Sequence, residues 1–362
     1  MAPLPKSNRR EFLIKAGLFA SIPFLHRFDV EAAEHILQTS EAGKNSLKVL
    51  TCNIRVDLPE DAEKGLGWKD RRLSCLHVIK KQQADLIGFQ EVLRGQFLDL
   101  KESLPDYFAF GFDGPEMDKF KEGYHGIAKN PIFFSKKRFE LLTAGGYWLS
   151  ETPLQAGSLS WGSARARNAS WVRLLDKKTN KEIRLINLHL DHVSNEAKEK
   201  QMDVVLREAA QYQEDFVQIL TGDFNVGMDS KVYENVLGAG WEDCFVPRND
   251  GQSRKGSNSS HDGQSRNDGQ TNNDGNSSDD GQISNNGQSR KYGQYGHDGQ
   301  RIEGTTNGFK PINDPRQAKA KKIDFIFIKG PVKASSSQII KDKLGEVYAS
   351  DHYFVNAVVN YS

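Results

Sequence analysis

The sequence predicts an α/β domain, and two features of its apolar residues lead to that prediction. Runs of about five to ten mostly apolar residues, the length of a buried strand, alternate with segments whose apolar residues recur at the period of a helix. Several of these runs end in an acidic, amide or histidine side chain, which places polar groups along one edge of a sheet. A length of 362 residues suggests one large domain or two smaller ones.

The strands are predicted from apolar runs and from alternation along each run. In the first strand Val49, Thr51 and Asn53 share one face, while Leu50 and Cys52 face the other way. The predicted strands are 47–54, 85–90, 107–112, 131–135, 139–148, 169–176, 182–190, 216–221, 323–328, 331–340 and 353–360.

The helices are predicted from the spacing of apolar residues. In the segment 70–83, Leu73, Leu76 and Ile79 fall on one side, which predicts that this side is buried. A second helix is expected over 94–103, before Pro105. A third is predicted over 195–214, where four apolar residues follow the pattern i, i+3, i+4, i+7, namely Met202, Val205, Leu206 and Ala209.

Net charge and cysteine content exclude some functional classes. The formal net charge is +1, so no global basic field points to nucleic acid, although a local basic groove stays open. Three cysteines, without a C-x-x-C pair, are too few for a disulfide framework or a cysteine zinc site. Cys52, inside a predicted strand, is interpreted as a packed small apolar residue.

The first 33 residues resemble an export signal of the twin-arginine type. Arg9 and Arg10 precede Phe-Leu and Lys15, and an apolar stretch follows that is shorter than the ~20 residues needed to span a bilayer. Ala32-Ala33 offers a cleavage point, and 34–46 is expected to be a linker. An amphipathic N-terminal helix is the alternative. The first interpretation implies a periplasmic or extracellular protein, without a transmembrane span in the mature chain.

Residues 249–300 differ in kind from the rest of the chain. Gly-Gln recurs here with an underlying unit of six residues, and Asp or Asn precedes six of the seven copies. Ile283 is the only aliphatic residue, so the repeats have no apolar face to bury against one another. A disordered surface loop inserted into the domain is therefore predicted, with calcium binding by the Asp-Gly units as a weaker alternative.

Polar residues at strand ends form the candidate site. Glu91 offers a hard oxygen ligand that suits Mg²⁺ or Mn²⁺ better than zinc, although it could instead stabilise the helix that starts at 94. Asp223 and Asn225 flank an inward-facing Phe224, and an Asx turn is the structural alternative for this pair. The strings are T-C-N-I-R at Asn53, F-Q-E-V at Glu91, N-L-H-L at His189, G-D-F-N at Asp223 and S-D-H at Asp351.

Asp324 is the only charge in an apolar run, and a buried carboxylate needs a partner. His352 is the expected partner, because a histidine held by a carboxylate is well suited to proton transfer. An arginine partner is the alternative.

In this order, the strings resemble the endonuclease/exonuclease/phosphatase superfamily, which includes deoxyribonuclease I and apurinic endonucleases. The resemblance covers about 47–362 apart from the repeat insert. It implies a four-layer α/β sandwich, in which two packed, mainly antiparallel sheets are flanked by helices, with the active site at one end of the sandwich.

The resemblance also implies roles for these residues. Glu91 and Asn53 are then metal ligands, with Asp351 near the metal, and Mg²⁺ is the expected ion with Mn²⁺ as an alternative. Asp223 orients or deprotonates the attacking water. His189 and Asn225 contact the scissile phosphate, and Asp324 with His352 forms the family's Asp–His pair.

A secreted bacterial subgroup of the superfamily is similar in further strings. Arg167, four residues before Trp171, is a candidate contact for a substrate phosphate. The subgroup usually has Gly-Glu-Tyr before Asn130-Pro131, whereas Ala128 and Lys129 stand here, so Lys129 is either a phosphate contact or a solvated lysine. The other marks are Trp68 with Arg71, 130–134, Trp148-Leu149-Ser150, Leu190-Asp191-His192, Gly304-Thr305 and Asn307-Gly308-Phe309.

We therefore expect an exported, metal-dependent phosphoester hydrolase of the phosphodiesterase or phosphatase type. A secreted nuclease is one alternative, which would need a basic groove with aromatic stacking groups. An exported binding module that uses the repeat loop is another. The expected partner is a phosphoester substrate, namely a small molecule, a lipid head group or a nucleic acid, and no obligate protein partner is evident.

Overall fold

The architecture is described from a computed structural model that places residues 45–111, 123–245 and 302–362. The predicted export signal, most of the linker, the end of the strand 107–112 and the repeat insert lie outside these described residues. Within the described ranges, every helix is too short or too polar to pass through a bilayer.

The described residues form twelve strands and five helices, with one 3₁₀ turn at Gln317–Lys319. The helices are α1 (Pro59–Ala62), α2 (Trp68–Gln82), α3 (Arg94–Ser103), α4 (Asn195–Ala209) and α5 (Lys231–Gly238). The strands are β1 (Ser46–Asn53), β2 (Leu86–Gln90), β3 (Tyr107–Phe110), β4 (Ile132–Ser135), β5 (Phe139–Trp148), β6 (Asn168–Asp176), β7 (Lys181–His189), β8 (Val217–Asp223), β9 (Glu242–Asp243), β10 (Asp324–Lys329), β11 (Val332–Ile340) and β12 (Phe354–Tyr361).

The strands make two six-stranded sheets that pack face to face. Their orders are β11-β12-β1-β2-β4-β3 and β5-β6-β7-β8-β10-β9. Each sheet has one parallel pair, β1 with β2 and β7 with β8, and all its other pairs are antiparallel. Helices α2 and α3 cover the first sheet, and α4 and α5 cover the second. The fold is the predicted four-layer α/β sandwich with mainly antiparallel sheets.

Alternation decides which side chains enter each layer. Val49 joins the apolar cluster between the sheets, whereas Leu50 and Cys52 pack under the helices on the first sheet. On β7, Leu185 faces the first sheet, and Ile186 and the apolar residues that follow at every second position face α4 and α5. The predicted faces of β1 are therefore confirmed, and β7 alternates in the same way.

The layer between the sheets changes character along its length. Its middle is wholly apolar, with Val49, Leu185, Ile219 and other buried side chains. Two residues further along the same faces, Thr51, Asn187 and Thr221 are polar and fully buried. The polar residues that end these faces are Asn53, Gln90, His189, Asp223 and Asp324.

A glycine is required where the polar parts of the two sheets meet. A Cβ atom on Gly88 of β2 would lie 2.3 Å from the Thr221 hydroxyl and 2.5 Å from the Asn187 side-chain oxygen of the other sheet. Asn187 also accepts hydrogen bonds from Gln90 at 2.6 Å and from Thr221 at 3.0 Å. Any larger residue at 88 would separate these groups.

Two helix predictions differ from the structure. Leu73, predicted on the buried side of its helix, is 65% exposed, because α2 turns Cys75 towards the sheet in its place. Leu76 and Ile79 are buried as predicted. The helix predicted over 195–214 ends at Ala209, while Met202, Val205 and Ala209 are buried as expected. The short elements α1, α5 and β9 were not predicted, since each has fewer residues than a reliable period requires.

Candidate active site

The predicted site residues meet at the polar end of the inter-sheet layer. Asn53, His189 and Asp223 are the last residues of β1, β7 and β8, and Glu91 directly follows β2. Parallel pairing brings Asn53 next to Gln90 and His189 next to Asp223. Antiparallel pairing sets Asp324, the first residue of β10, opposite Asp223.

Asn53 connects the two sheets at this end. Its Nδ2 donates to Glu91 Oε1 at 3.1 Å and to Asp223 Oδ2 at 2.9 Å, and its Oδ1 accepts from the Arg55 backbone N–H at 2.9 Å. The second Glu91 oxygen accepts from the Val56 N–H at 2.8 Å. Glu91 thus faces Asn53 and the residues after β1, which favours its interpretation as a site residue over that as a helix-stabilising charge for α3.

Asp223 uses its two oxygens differently. Oδ1 accepts from the Asn225 N–H at 2.9 Å, so the predicted Asx turn is present. Oδ2 points into the site, 3.4 Å from His189 Nε2 and 3.9 Å from His352 Nε2. Burial and the neighbouring Asp324 raise the pKa of Asp223 to about 7. The turn and the functional site are therefore compatible interpretations of G-D-F-N.

Asp324 and His352 form the expected pair. His352 Nδ1 lies 2.9 Å from Asp324 Oδ2, and the arginine alternative is wrong. Burial alone lowers the pKa of His352, but Asp324, Asp223 and Asp351 together raise it well above its usual value. The other ring nitrogen of His352, Nε2, faces Asp223.

His189 and Asn225 form the next part of the site. Asn225 Nδ2 lies 2.9 Å from His189 Nε2 and donates to the Leu190 carbonyl at 3.1 Å. Burial, with help from Arg167, keeps the pKa of His189 well below its usual value. Its Nδ1 is buried without a hydrogen-bond partner among the described residues.

Arginines line the same cavity as the carboxylates. Arg167 is partly buried, its Nε has no partner among the described residues, and one terminal nitrogen lies 3.2 Å from His192 Nδ1. Arg165 lies over the Tyr124 ring at 5.6 Å. Carboxylates and guanidinium groups thus line one cavity of about 300 Å³.

Asp351 also lines the cavity and is paired with Arg55. Arg55 Nη1 lies 3.3 Å from Asp351 Oδ2, while Arg55 Nε donates to Asp61 at 2.8 Å. Burial raises the pKa of Asp351, and Glu91 adds to the rise.

The sequence model of the endonuclease/exonuclease/phosphatase family matches residues 50–352, most of the chain. The chain belongs to this family. An endonuclease/exonuclease/phosphatase from Bacteroides vulgatus is 26% identical, with a TM-score of 0.64 over 88% of this chain and 99% of that one. A Bacteroides thetaiotaomicron mannosyl-6-phosphatase is 23% identical, with a TM-score of 0.64 over 87% and 100%. The human Nocturnin catalytic domain, solved with a sulfate anion, is 17% identical, with a TM-score of 0.55 over 88% and 95%. Curated proteins give no match.

Family members act on phosphoesters, and the donor set of this member fits a divalent cation. Ligand atoms of Glu91, His189 and Asp223 lie within 4.8 Å of one another, as do those of Asp223, Asp324 and His352. Crowded carboxylate oxygens, among them that of the buried Asp223 with its raised pKa, are groups that a hard cation would stabilise. Of the predicted ligands, Glu91 is in the first group and Asn53 touches it, whereas Asp351 belongs to neither.

Lys129 is not brought to the site. Its side chain is 4% exposed, so it is not a solvated lysine, and its ammonium lies 5.7 Å from the Phe97 ring on α3. Burial and the nearby Arg94 lower its pKa to about 8. Its backbone pairs with Val92, and the neighbouring Ala128 lines the cavity instead.

Several cavity residues were not predicted. Arg55 stands in the T-C-N-I-R string and His192 in the Leu-Asp-His string, but neither received a role. Arg165 and Tyr124 lie in loops without a periodic pattern, so only their charge and aromatic character could have drawn attention to them.

Strained backbone accompanies the site. Arg55, Glu91 and Asn225 follow the ends of β1, β2 and β8, and their φ angles are +60°, +63° and +52°. Non-glycine residues rarely adopt this left-handed conformation, which surrounding contacts must maintain.

Proposed function

We propose that this family member hydrolyses small phosphate esters with the help of Mg²⁺ or Mn²⁺. One observation carries the proposal. Asp223, Glu91 and Asp351 line one cavity together with Arg167, whose Nε has no partner among the described residues. A metal ion and a phosphate group together would complement this combination of carboxylates and a guanidinium group.

The residues of the site have distinct roles in this proposal. Asp223 Oδ2 orients a water molecule and accepts its proton as the water oxygen attacks phosphorus and the ester P–O bond breaks. His352, held by Asp324, donates a hydrogen bond to a phosphate oxygen. Asn225 and His189 contact the same phosphate, as does Arg167. A cation held by Glu91 and Asn53, with Asp223 and His189 adjacent, supplies charge neutralisation when bound.

Small substrates are favoured over polymers for two reasons. A cavity of about 300 Å³ is at the lower end of the range for small-molecule sites. The formal net charge of +1 provides no general attraction for nucleic acid. The neighbour named a mannosyl-6-phosphatase is consistent with this substrate class, although its identity of 23% supports the fold alone.

A panel of phosphoesters tests the proposal. Nitrophenyl phosphate, bis(nitrophenyl) phosphate, a sugar phosphate, a lipid head-group diester, plasmid DNA, single-stranded DNA and RNA are each tested with Mg²⁺, Mn²⁺ or chelator. We expect metal-dependent turnover that His352→Ala abolishes and that His77→Ala, on the exposed face of α2, leaves unchanged. Turnover that persists in chelator, or in His352→Ala, would contradict the proposal. Preference for DNA or RNA would favour the nuclease alternative.

Deleting 249–300 separates hydrolysis from the binding-module alternative. Hydrolysis should survive this deletion if the described site carries the function. Loss of binding to a partner, in a protein that hydrolyses no member of the panel, would favour the alternative instead.

We also propose that the N-terminal segment directs export. The Arg9-Arg10 pair supports this, since twin-arginine signals depend on both residues. Replacing both with lysine should leave the protein in the cytoplasmic fraction, while the unchanged chain reaches the periplasm or the medium. Equal distribution of the two proteins would contradict export by this route.

A further inference from the structure

Two strings without a part in the proposed chemistry meet beside the active site. Trp68 and Arg71 belong to α2, and Phe309 follows Asn307-Gly308. The Arg71 guanidinium carbon lies 5.4 Å from the Trp68 ring and 6.0 Å from the Phe309 ring. Arg71 is 1% exposed, so its charge is buried between two aromatic rings.

Within the described part of the chain, the Arg71 guanidinium donates only to backbone carbonyls. Nε donates to Leu66 at 3.0 Å, and the terminal nitrogens donate to Ile54, to Arg55 and, at 3.3 Å, to Ala349. Ile54 and Arg55 directly follow Asn53, whereas Ala349 lies three residues before His352. One rigid planar group therefore joins the two loops that frame the site.

The loop before the catalytic histidine is held at each residue. The Ala349 carbonyl accepts from the same guanidinium, and the Ser350 carbonyl accepts from Asn307 Nδ2 at 3.1 Å. The Asp351 carbonyl accepts from the N–H groups of Asn307 at 2.7 Å and Gly308 at 2.9 Å. Three successive carbonyls are thus fixed by one arginine and one short segment.

The loop after β1 is held from the same side. Arg55 has a φ of +60°, and its carbonyl accepts from Arg71 and from Gln96 Nε2 at 2.9 Å. In this conformation the Arg55 N–H donates to Asn53 Oδ1. Contacts to the Arg55 carbonyl therefore help to place the Asn53 amide, which also donates to Glu91 and Asp223.

We infer that Arg71 is a positioning residue. It fixes the Asn53–Arg55 loop relative to the loop that carries Asp351 and His352, and Trp68 and Phe309 hold its guanidinium in place. The kinetic part of this inference depends on the proposed hydrolysis, whereas the structural part does not.

The test compares two buried arginines. Arg71→Lys keeps the charge but replaces a planar fork with a single ammonium. Arg184→Lys is the matched control, because Arg184 is also buried and stacked, 4.5 Å from the Tyr212 ring and 5.0 Å from the Trp171 ring, and is paired with Glu208 away from the site.

In Arg71→Lys we expect faster amide hydrogen exchange in both loops, at 53–56 and 349–353. We also expect kcat to fall about a hundredfold with little change in KM, and Mn²⁺ to bind about tenfold more weakly. Arg184→Lys should change none of these, although it lowers the melting temperature. Phe309→Leu keeps every hydrogen bond of Arg71, so it should reproduce the same changes more weakly.

Several results would overturn the inference. A kcat equal to that of Arg184→Lys would make Arg71 purely structural, and faster exchange in only one loop would refute the link between them. If Arg71→Lys does not fold, Phe309→Leu decides by the same measurements. If the wild type hydrolyses none of the phosphoesters, the proposed function fails, while exchange and Mn²⁺ affinity still decide the role of Arg71.

Discussion

Charged side chains are buried at both ends of the inter-sheet layer, but with opposite effects on the pKa of the buried carboxylates. At the end opposite the active site, Arg138 donates to Asp176 at 2.7 Å and to Asp85 at 2.8 Å, and Tyr361 donates to Asp176 at 3.1 Å. Burial alone would raise the pKa of Asp176, but Arg138 lowers it below its usual value. At the active-site end, burial and Asp324 raise the pKa of Asp223 to about 7.

This contrast separates stability from function within one sandwich. A carboxylate with a lowered pKa stabilises the fold, whereas one with a raised pKa costs stability and is suited to accept a proton. The apolar cluster between the two ends keeps the sheets in register, so the crowded carboxylates need not hold the fold together.

Replacing Asp223 should have the largest effect on activity. Asp223→Asn removes the proposed proton acceptor, and we expect kcat to fall about a thousandfold. Its raised folded pKa means that ionised Asp223 disfavours folding above pH 7, so the unfolding free energy at pH 8 should not decrease. Steady-state kinetics and urea unfolding check both statements. Retained activity, or a clear loss of stability, would remove the contrast between the two ends.

Asp176→Asn should lower stability and leave activity unchanged. Arg138 keeps Asp85 but loses its nearest partner while buried, so we expect a loss of about 2 to 4 kcal/mol in unfolding free energy. Hydrolysis by the remaining folded protein should be unchanged. The same urea titration measures the first effect, and an activity loss at full folding would show that the ends are coupled.

Gly88→Ala tests the boundary between the apolar and polar parts of the layer. The new methyl group would press on Thr221 and Asn187, so we expect a loss of about 1 to 3 kcal/mol. Gly95→Ala, on α3 with open space around the position, is the control and should be neutral or slightly stabilising. Equal melting temperatures for the two variants would contradict close contact at Gly88.

The smallest expected effect is the pH dependence at Asp176. Because its folded pKa is lowered, its contribution is fully present above the unfolded value of about 3.9 and is lost as pH falls through the folded pKa. The stability difference between wild type and Asp176→Asn should therefore stay constant from about pH 8 to pH 5 and shrink below about pH 4. A stability difference that grows as pH falls would mean that the folded pKa of Asp176 is raised, and would contradict this prediction.

Strand faces and strand ends could be predicted from the sequence, because alternation requires only local order. The Asp324–His352 pair could also be predicted, since a lone buried carboxylate requires a partner. Contacts across the layer could not be predicted. Gln90 and Asn187 are 97 residues apart, and nothing near either residue indicates the other.

The positions of the lysine and arginine side chains could not be predicted from their charge alone. Lys129 turns to Phe97 because the Val92 backbone pairing places it on that side, while Arg55 enters the site through a left-handed turn after β1. Leu73 is exposed because the packing of α2, rather than its apolar spacing alone, decides which side faces the sheet. The positions of Lys129 and Arg55 depend on how loops leave the sheets, and that of Leu73 on how the helix packs. Patterns in a single sequence do not encode either.

The Asx turn at Asp223 has a consequence for how this position can evolve. One oxygen closes the turn and the other serves the cavity, so both the length and the two-fold shape of the side chain are fixed. Glutamate would move both oxygens by one bond, and asparagine would turn one of them into a donor. Saturation mutagenesis should therefore recover a single functional residue here, whereas the neighbouring Phe224, which only fills space, should accept several apolar replacements.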